Sequence, residues 1–477
     1  MHAKPGDRVA QHAGFGPFVT VTTFRTGDEA LAIAARAACG LGAGLWTRDR
    51  QRAHGFARGS ERRCGWLQAR EPRLAARQRL RERRRVRKEL RRDARVHPCE
   101  IGAARRRCAD SAVLSALNLY TERIAMHSFV YNGLPSRVVF GAGSLAQLPQ
   151  EIERLGATRA IVLSTPPQRA QAEALAHRLA ARAAGVFAEA VMHVPIETAR
   201  AARAFAAQVD ADCAIAIGGG STTGLGKAIA LDSGLPIVAV PTTYAGSEMT
   251  PIYGLTEGGV KKTGRDLRVL PKAVIYDPDL TLSLPVALSV TSGINAIAHA
   301  AEGLYAPDAN PVASLMAEEG IRALAGGLPR IVHDAHDADA RADCLYGAWL
   351  CGAVLGSVGM ALHHKLCHTL GGTLNLPHAE THTIVLPHAL AYNRDAAPAA
   401  MRRIAAALGA DDAARGVFDL ARASGVPVAL KDIGMEEADI ERVLDLALRN
   451  PYWNPRPPER ASLRALLEDA YAGRRPA

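Results

Sequence analysis

The sequence predicts an α/β domain followed by an all-α domain, with an arginine-rich extension ahead of both. Three observations predict this. Short, wholly apolar runs alternate with helical stretches as far as about Leu284, the pattern of buried strands in a parallel sheet. Strand signals then stop, and residues 289–477 read as successive helices punctuated by Gly and Pro. Residues 1–125 hold 27 of the 58 Lys and Arg but only 12 of the 47 Asp and Glu. The net charge of +11 therefore sits in that segment, and the remainder is close to −4. These readings place the boundaries at 1–125, 126–286 and 287–477.

In the extension, Arg70–Arg107 is dense in arginine, including Arg83-Arg84-Arg85 and Arg105-Arg106-Arg107. Such a block repels itself and buries little apolar surface, so disorder is expected, with a helix near Leu80–Leu90 allowed by its residues. Three readings stay open: a solvated extension, a true start at Met126, and a nucleic-acid-binding tail. The last is the weakest, because no aromatic platform or zinc spacing accompanies the charge.

After Met126 the elements follow in order. Phe140–Gly143 reads as a turn, and Ser144 as the N-cap of a helix reaching Leu155. Ala160–Leu163 is a short buried strand, and residues 168–186 form an Ala-rich helix. Cys213–Ile217 and Pro236–Val240 are two further buried strands.

Composition sets further bounds. No run of about 18 apolar residues occurs, so no membrane span is expected. The N-terminus lacks the basic and apolar regions of a secretory signal. The eight cysteines form no CxxC pair, which fits reduced thiols rather than a disulfide framework. A cytoplasmic location is the expectation.

Three motifs carry chemistry. Gly218-Gly219-Gly220-Ser221 follows a buried strand and opens a helix. Glycines there let a phosphate approach the backbone, and the helix N-terminus offers unpaired N–H groups. Gly218, Gly219, Gly220 and Ser221 are thus candidates for holding a cofactor diphosphate; a structural strand–helix turn is the plain alternative. The stretch is neither GxGxxG nor a Walker loop, since Lys227 falls at the wrong spacing. Pro241-Thr242-Thr243 through Ser247-Glu248 follows the next strand, where α/β folds bind ligands. Thr242, Thr243 and Ser247 can donate to phosphate or to a carboxamide.

The third motif is a set of histidines. Asn295 and His299 stand at i and i+4, as do His364 and His368, and His378 follows Pro377. Any one alone reads as a satisfied structural histidine. Several in two short windows suggest a metal or catalytic centre.

In these motifs, residues 126–477 resemble the iron-containing alcohol dehydrogenase superfamily, whose fold is shared with dehydroquinate synthase-like proteins. The resemblance implies a nicotinamide cofactor in the α/β half. It also implies an iron or zinc site made of one Asp and three His, whose positions fall on Asn295, His299, His364 and His378. The additional active-site histidine falls on His368. Three departures matter. Asn295 replaces the only anionic ligand, so a tight metal site is not expected. Gly224 stands where many members have Asp. The ribose-contacting acid is missing at Leu163-Ser164-Thr165-Pro166, which leaves Ser164 as the contact and lets NADPH be used beside NADH.

These departures, with Phe129–Pro135, His378–His382 and Asn454–Pro457, are similar to the maleylacetate reductase branch. The resemblance implies NAD(P)H-dependent reduction of the C=C bond of maleylacetate to 3-oxoadipate, in aromatic-compound degradation, by a homodimer. Lys262 and Arg265, with Tyr253 and His363, are candidates for the two carboxylates of such a substrate. His299, His364, His368 and His378 are the catalytic candidates. The rival readings are a metal-dependent alcohol dehydrogenase or aldehyde reductase, and nucleic-acid binding through residues 1–125.

Overall fold

A computed structural model describes Phe129, Tyr131, Gly133, Leu134, residues 136–449 apart from 259, and residues 452–477. Expectations for residues 1–125 lie outside the described residues. The chain divides into Met1–Met126 and His127–Ala477; the second unit is described here.

Six strands form one parallel sheet: β1 (Arg137–Phe140), β2 (Ala160–Leu163), β3 (Ala183–Phe187), β4 (Cys213–Gly218), β5 (Ile237–Pro241) and, after a two-stranded hairpin, β8 (Ala273–Tyr276). Their order is β1-β8-β5-β4-β2-β3. The apolar runs at 160, 213 and 237 are the strands their composition implies, buried along their whole length. Helices α1 (Leu148–Arg154), α2 (Arg169–Leu179), α3 (Ile196–Gln208) and α4 (Gly220–Ser233) connect them. The hairpin is β6 (Ile252–Glu257) and β7 (Val260–Arg265), antiparallel, pairing Ile252 with Arg265 and Leu255 with Lys262.

Two local expectations are corrected. Ser144 is not an N-cap: Gly143 precedes a 3-10 turn at Ser144–Gln147, and the Ser144 hydroxyl donates instead to Tyr276 O (3.2 Å). The helix begins only at Leu148. The helix expected over 168–186 ends at Leu179, and Ala183–Phe187 turns outward as edge strand β3. Its Ala-Ala-Gly start has no strand signal of its own; pairing with β2 decides it.

Beyond β8 the described residues are helical, as the loss of strand signals implies: α5 (Val286–Tyr305), α6 (Pro311–His333), α7 (Ala338–Ser357), α8 (Leu362–Leu374), α9 (His378–Asn393), α10 (Pro398–Leu408), α11 (Ala413–Ala423), α12 (Asp439–Arg449) and α13 (Arg460–Ala472). Among the described residues no single helix is long and apolar enough to cross a membrane. α5 is buried along nearly its whole length, so it is the axis of the helical half.

The halves meet where the loop after β5 lies on α7. A Cβ on Gly352 would sit 2.6 Å from Gly246 O, and one on Gly246 3.0 Å from Gly352 Cα. Backbone therefore rests on backbone. Arg341 of α7, fully buried, adds a second fastening. Its guanidinium donates to Ser289 Oγ (2.6 Å), Leu284 O (3.0 Å) and Ala335 O (2.9 Å), which fixes the start of α5.

Candidate active site

A cleft of about 1260 Å³ runs from the carboxyl ends of the central strands to a nest of histidines on α5, α8 and α9. The chain passes from β2 out to β3, returns past β2 to β4, and continues to β5. That reversal of direction is where open α/β sheets leave a crevice for ligands.

At this end the site is mostly backbone. α4 starts at Gly220, with Gly219 before it and no side-chain cap, so its first N–H groups point at whatever anion the cleft holds. Gly218 has φ +152°, and a Cβ there would lie 2.5 Å from Thr222 Oγ1. Thr242 N–H donates to Gly218 O (3.0 Å), which ties the two candidate loops together. Gly219, Gly220, Ser221, Thr242 and Thr243 line the cleft. Gly218 does not line it; it shapes the turn from below. Ser164 also stands back, fully buried, with its hydroxyl donating to Thr165 O (3.2 Å). Thr165, Gln168 and Gln171 line that corner instead, and Gln168 Nε2 donates to Thr242 Oγ1 (3.0 Å). The space a Cβ on Gly224 would need is taken by Val194, 2.8 Å away.

Lys227 is a residue that sequence reasoning set aside. It is fully buried, and its Nζ donates to Ser247 O (2.7 Å), Ile252 O (2.7 Å) and Thr250 Oγ1 (2.9 Å). It clamps the loop that carries Ser247, whose own hydroxyl faces the same amine at 3.2 Å. Burial pushes the Lys227 ammonium down to about 7, against the pull of nearby Glu248.

At the other end the site is made of side chains. His299, His364, His368, His378 and Asn295 all line the cleft, as does His382. The buried carboxylate of Glu302 organises them. It accepts from Ala361 N–H (2.8 Å), His363 N–H (2.8 Å) and His364 Nδ1 (2.7 Å). His364 Nε2 lies 2.7 Å from His299 Nδ1, and His299 Nε2 lies 3.2 Å from Ala245 O. Together these contacts form one chain from Glu302 through His364 and His299 to Ala245 O. Burial, then the neighbouring His364, hold His299 well below the usual imidazole value. His299 is thus neutral. Glu302 was legible in the sequence only as the residue three places after His299 on one helix face.

Of the residues proposed for carboxylates, Arg265 and Tyr253 line the cleft, and Arg265 also donates to Gly356 O. Lys262 does not line it. It is exposed and paired with Glu257 (2.8 Å). On a strand, residues three apart face opposite sides, so β7 cannot turn both Lys262 and Arg265 inward. His363 is fully buried behind the cleft wall, its Nε2 2.9 Å from His382 Nδ1.

This architecture is shared with known proteins. Residues 135–278 match the model described as iron-containing alcohol dehydrogenase, and residues 289–471 the C-terminal part of the Fe-containing alcohol dehydrogenase family. Maleylacetate reductase of Burkholderia cepacia is 64% identical over 351 residues, which is 74% of this chain and all of that one. The solved maleylacetate reductase of Agrobacterium tumefaciens is 56% identical with a TM-score of 0.71, covering 74% of this chain and 100% of that one. A solved chain of Ralstonia eutropha JMP134, provisionally named an alcohol dehydrogenase, is 67% identical with a TM-score of 0.73 over the same shares.

The chain belongs to the iron-containing alcohol dehydrogenase family. Within it, the chain belongs to the maleylacetate reductase branch; it is an oxidoreductase and uses a nucleotide cofactor. Residues 1–73 separately match the aldehyde dehydrogenase family model; that stretch holds none of the site residues.

Against the family's metal positions, the donor set in this chain is poor. Asn295 supplies no charge, and its buried Oδ1 has no hydrogen-bond partner among the described residues. His299 Nδ1 and His364 Nε2 are spent on each other at 2.7 Å. Two nitrogens on one tetrahedral zinc would stand about 3.3 Å apart, given bonds of about 2.0 Å. These positions do not fit the family's divalent ion.

Proposed function

We propose that this chain reduces the C=C bond of maleylacetate to 3-oxoadipate, with NADH as donor and NADPH accepted. The observation that carries the reading is the cleft itself. One end is a backbone cradle for a diphosphate; the other is a histidine nest without an anionic metal ligand, flanked by Arg265. The high identity to maleylacetate reductases supplies the substrate.

Gly219, Gly220 and Ser221 hold the diphosphate against the start of α4. Thr242 and Thr243 orient the nicotinamide half. Bound there, the reduced nicotinamide supplies a hydride. The adenosine corner is lined by Thr165, Gln168 and Gln171, and none of these repels a 2′-phosphate. Arg265 pairs with one substrate carboxylate, and Tyr253 packs beside it. Conjugation with the ketone makes the alkene carbon beside the other carboxylate electrophilic, so the hydride adds there. Charge moves to the ketone oxygen as an enolate. Substrate that opens the 2.7 Å His299–His364 contact frees an N–H donor there, and with His378 it stabilises that oxygen, an effect of order 3 kcal/mol for one donor elsewhere. His368 delivers the proton that completes the product. No step passes through a metal at Asn295, His299, His364 and His378.

The test is oxidation of NADH by maleylacetate in metal-stripped protein, with and without chelator. Full activity under both conditions, and slow turnover of simple aldehydes, is expected. Activity abolished by chelator and restored by iron or zinc overturns the reading in favour of a metal-dependent alcohol dehydrogenase. A homodimer, implied by the family resemblance, goes with this reading; sedimentation checks it.

A further inference from the structure

Behind the cleft wall, packed directly against the family's metal positions, a second group of donors converges. His363 and Cys367 stand at i and i+4 on α8, and His382 reaches them from α9. All three are essentially inaccessible to solvent. Their ligand atoms lie within 4.8 Å of one another. His363 Nε2 is 2.9 Å from His382 Nδ1 and 3.7 Å from Cys367 Sγ. Ligands on a tetrahedral zinc stand about 3.3 Å apart for two nitrogens and about 3.5 Å for nitrogen and sulfur. The nitrogen–nitrogen edge is thus about 0.4 Å short and the nitrogen–sulfur edge about 0.2 Å long, so an ion must open the His363–His382 contact as it binds; the thiol ligand, not the spacing, sets this group apart from the family's positions.

We propose that His363, Cys367 and His382 form a second metal site, specific for soft or borderline divalent ions such as Zn²⁺ and Co²⁺. None of the three occupies a ligand position of the family's site. The chemistry complements what that site has lost. Asn295 took away its anion, whereas Cys367 supplies one when its thiol gives up a proton to the solvent as the ion binds, and sulfur selects against Mg²⁺ or Ca²⁺. His382 also lines the cleft, and this gives the ion a route in. Its ring lies 4.4 Å from that of His378. An ion drawing His382 inward disturbs the catalytic nest, so occupancy inhibits.

The experiment is a Co²⁺ titration of the metal-stripped full-length chain, read by absorbance. One ion per chain with a near-ultraviolet sulfur-to-cobalt charge-transfer band is expected. The band vanishes in Cys367→Ser, and affinity falls by at least about tenfold, since losing a ligand costs no less than losing a group that orients one. It persists in Cys351→Ser, whose thiol is buried elsewhere in α7. If Cys367→Ser fails to fold, His382→Gln gives the same loss of affinity with the thiol kept. No binding, a cobalt spectrum without a sulfur band, or a band that survives Cys367→Ser overturns the proposal. A second arm rests on the function proposed above: Zn²⁺ slows maleylacetate reduction in the parent chain and not in Cys367→Ser. Should the chain not reduce maleylacetate, the spectroscopic result still decides the site.

Discussion

The two ends of the cleft are built by opposite means. The end at β4 and α4 is backbone: a glycine at φ +152°, a helix start without a cap, and a carbonyl tied to Thr242. The end at α5, α8 and α9 is side chain: imidazoles threaded onto one buried carboxylate. A backbone site fails when a side chain is added. A side-chain site fails when one is removed, because its partners are left buried and unpaired.

Removing the carboxylate is the largest test of that contrast. Glu302→Ala strands three N–H donors in the interior, and each buried donor left unpaired costs about 1–3 kcal/mol. Urea unfolding should show that loss together with a collapse of kcat. An unchanged midpoint would mean the nest does not depend on Glu302.

Acid should act on the helical half in the same sense. Burial lowers His388, on α9, to about 4, below its unfolded value near 6.5. The unfolded chain then binds the proton first, so stability is full above about pH 6.5 and falls as pH drops towards 4. The loss at pH 5 is roughly 2 kcal/mol from this residue alone. Comparing urea midpoints at pH 7 and pH 5 for the parent chain and His388→Gln checks it, with the variant showing the smaller drop.

Arg265→Met should raise KM for the dicarboxylate roughly 10- to 100-fold, the value of a charged hydrogen bond, and leave KM for NADH alone. At the backbone end, Gly218→Ala should do the reverse. Strain of about 1–3 kcal/mol in the turn appears as a raised KM for NADH, while KM for the substrate holds. If both variants raise both constants, the two ends are not separable. Lys262→Ala is the smallest, with KM changed by no more than about twofold because its ion pair is exposed.

The same division explains what could be read from the sequence. The strands at 160, 213 and 237 and the turn at Gly218 announce themselves locally, through unbroken apolar runs and a glycine cluster. The runs at 138–140 and 273–276 carry the same apolar signal and go unread; at 183 and in the hairpin, pairing rather than composition makes the strand. Without β7 as a strand, Lys262 and Arg265 looked equivalent; its two-residue period separates them. The histidines were visible by helical spacing. What joins them was not, because Glu302 reaches Ala361, His363 and His364 only once α5 and α8 cross. Lys227 has the wrong spacing for a phosphate loop, and its use in clamping the Ser247 loop depends on a neighbour twenty residues away.

The contact between Gly246 and Gly352 bears on engineering for heat resistance. Replacing a mid-helix glycine with alanine is an ordinary way to stiffen a helix, worth about 1 kcal/mol. On α7 that gain is closed off at position 352, where a methyl group would have to enter the 2.6 Å gap to Gly246 O. The one methyl would act as a wedge, tilting the helical half off the loop that aims the cofactor. A thermostable version of this enzyme has to find its rigidity elsewhere.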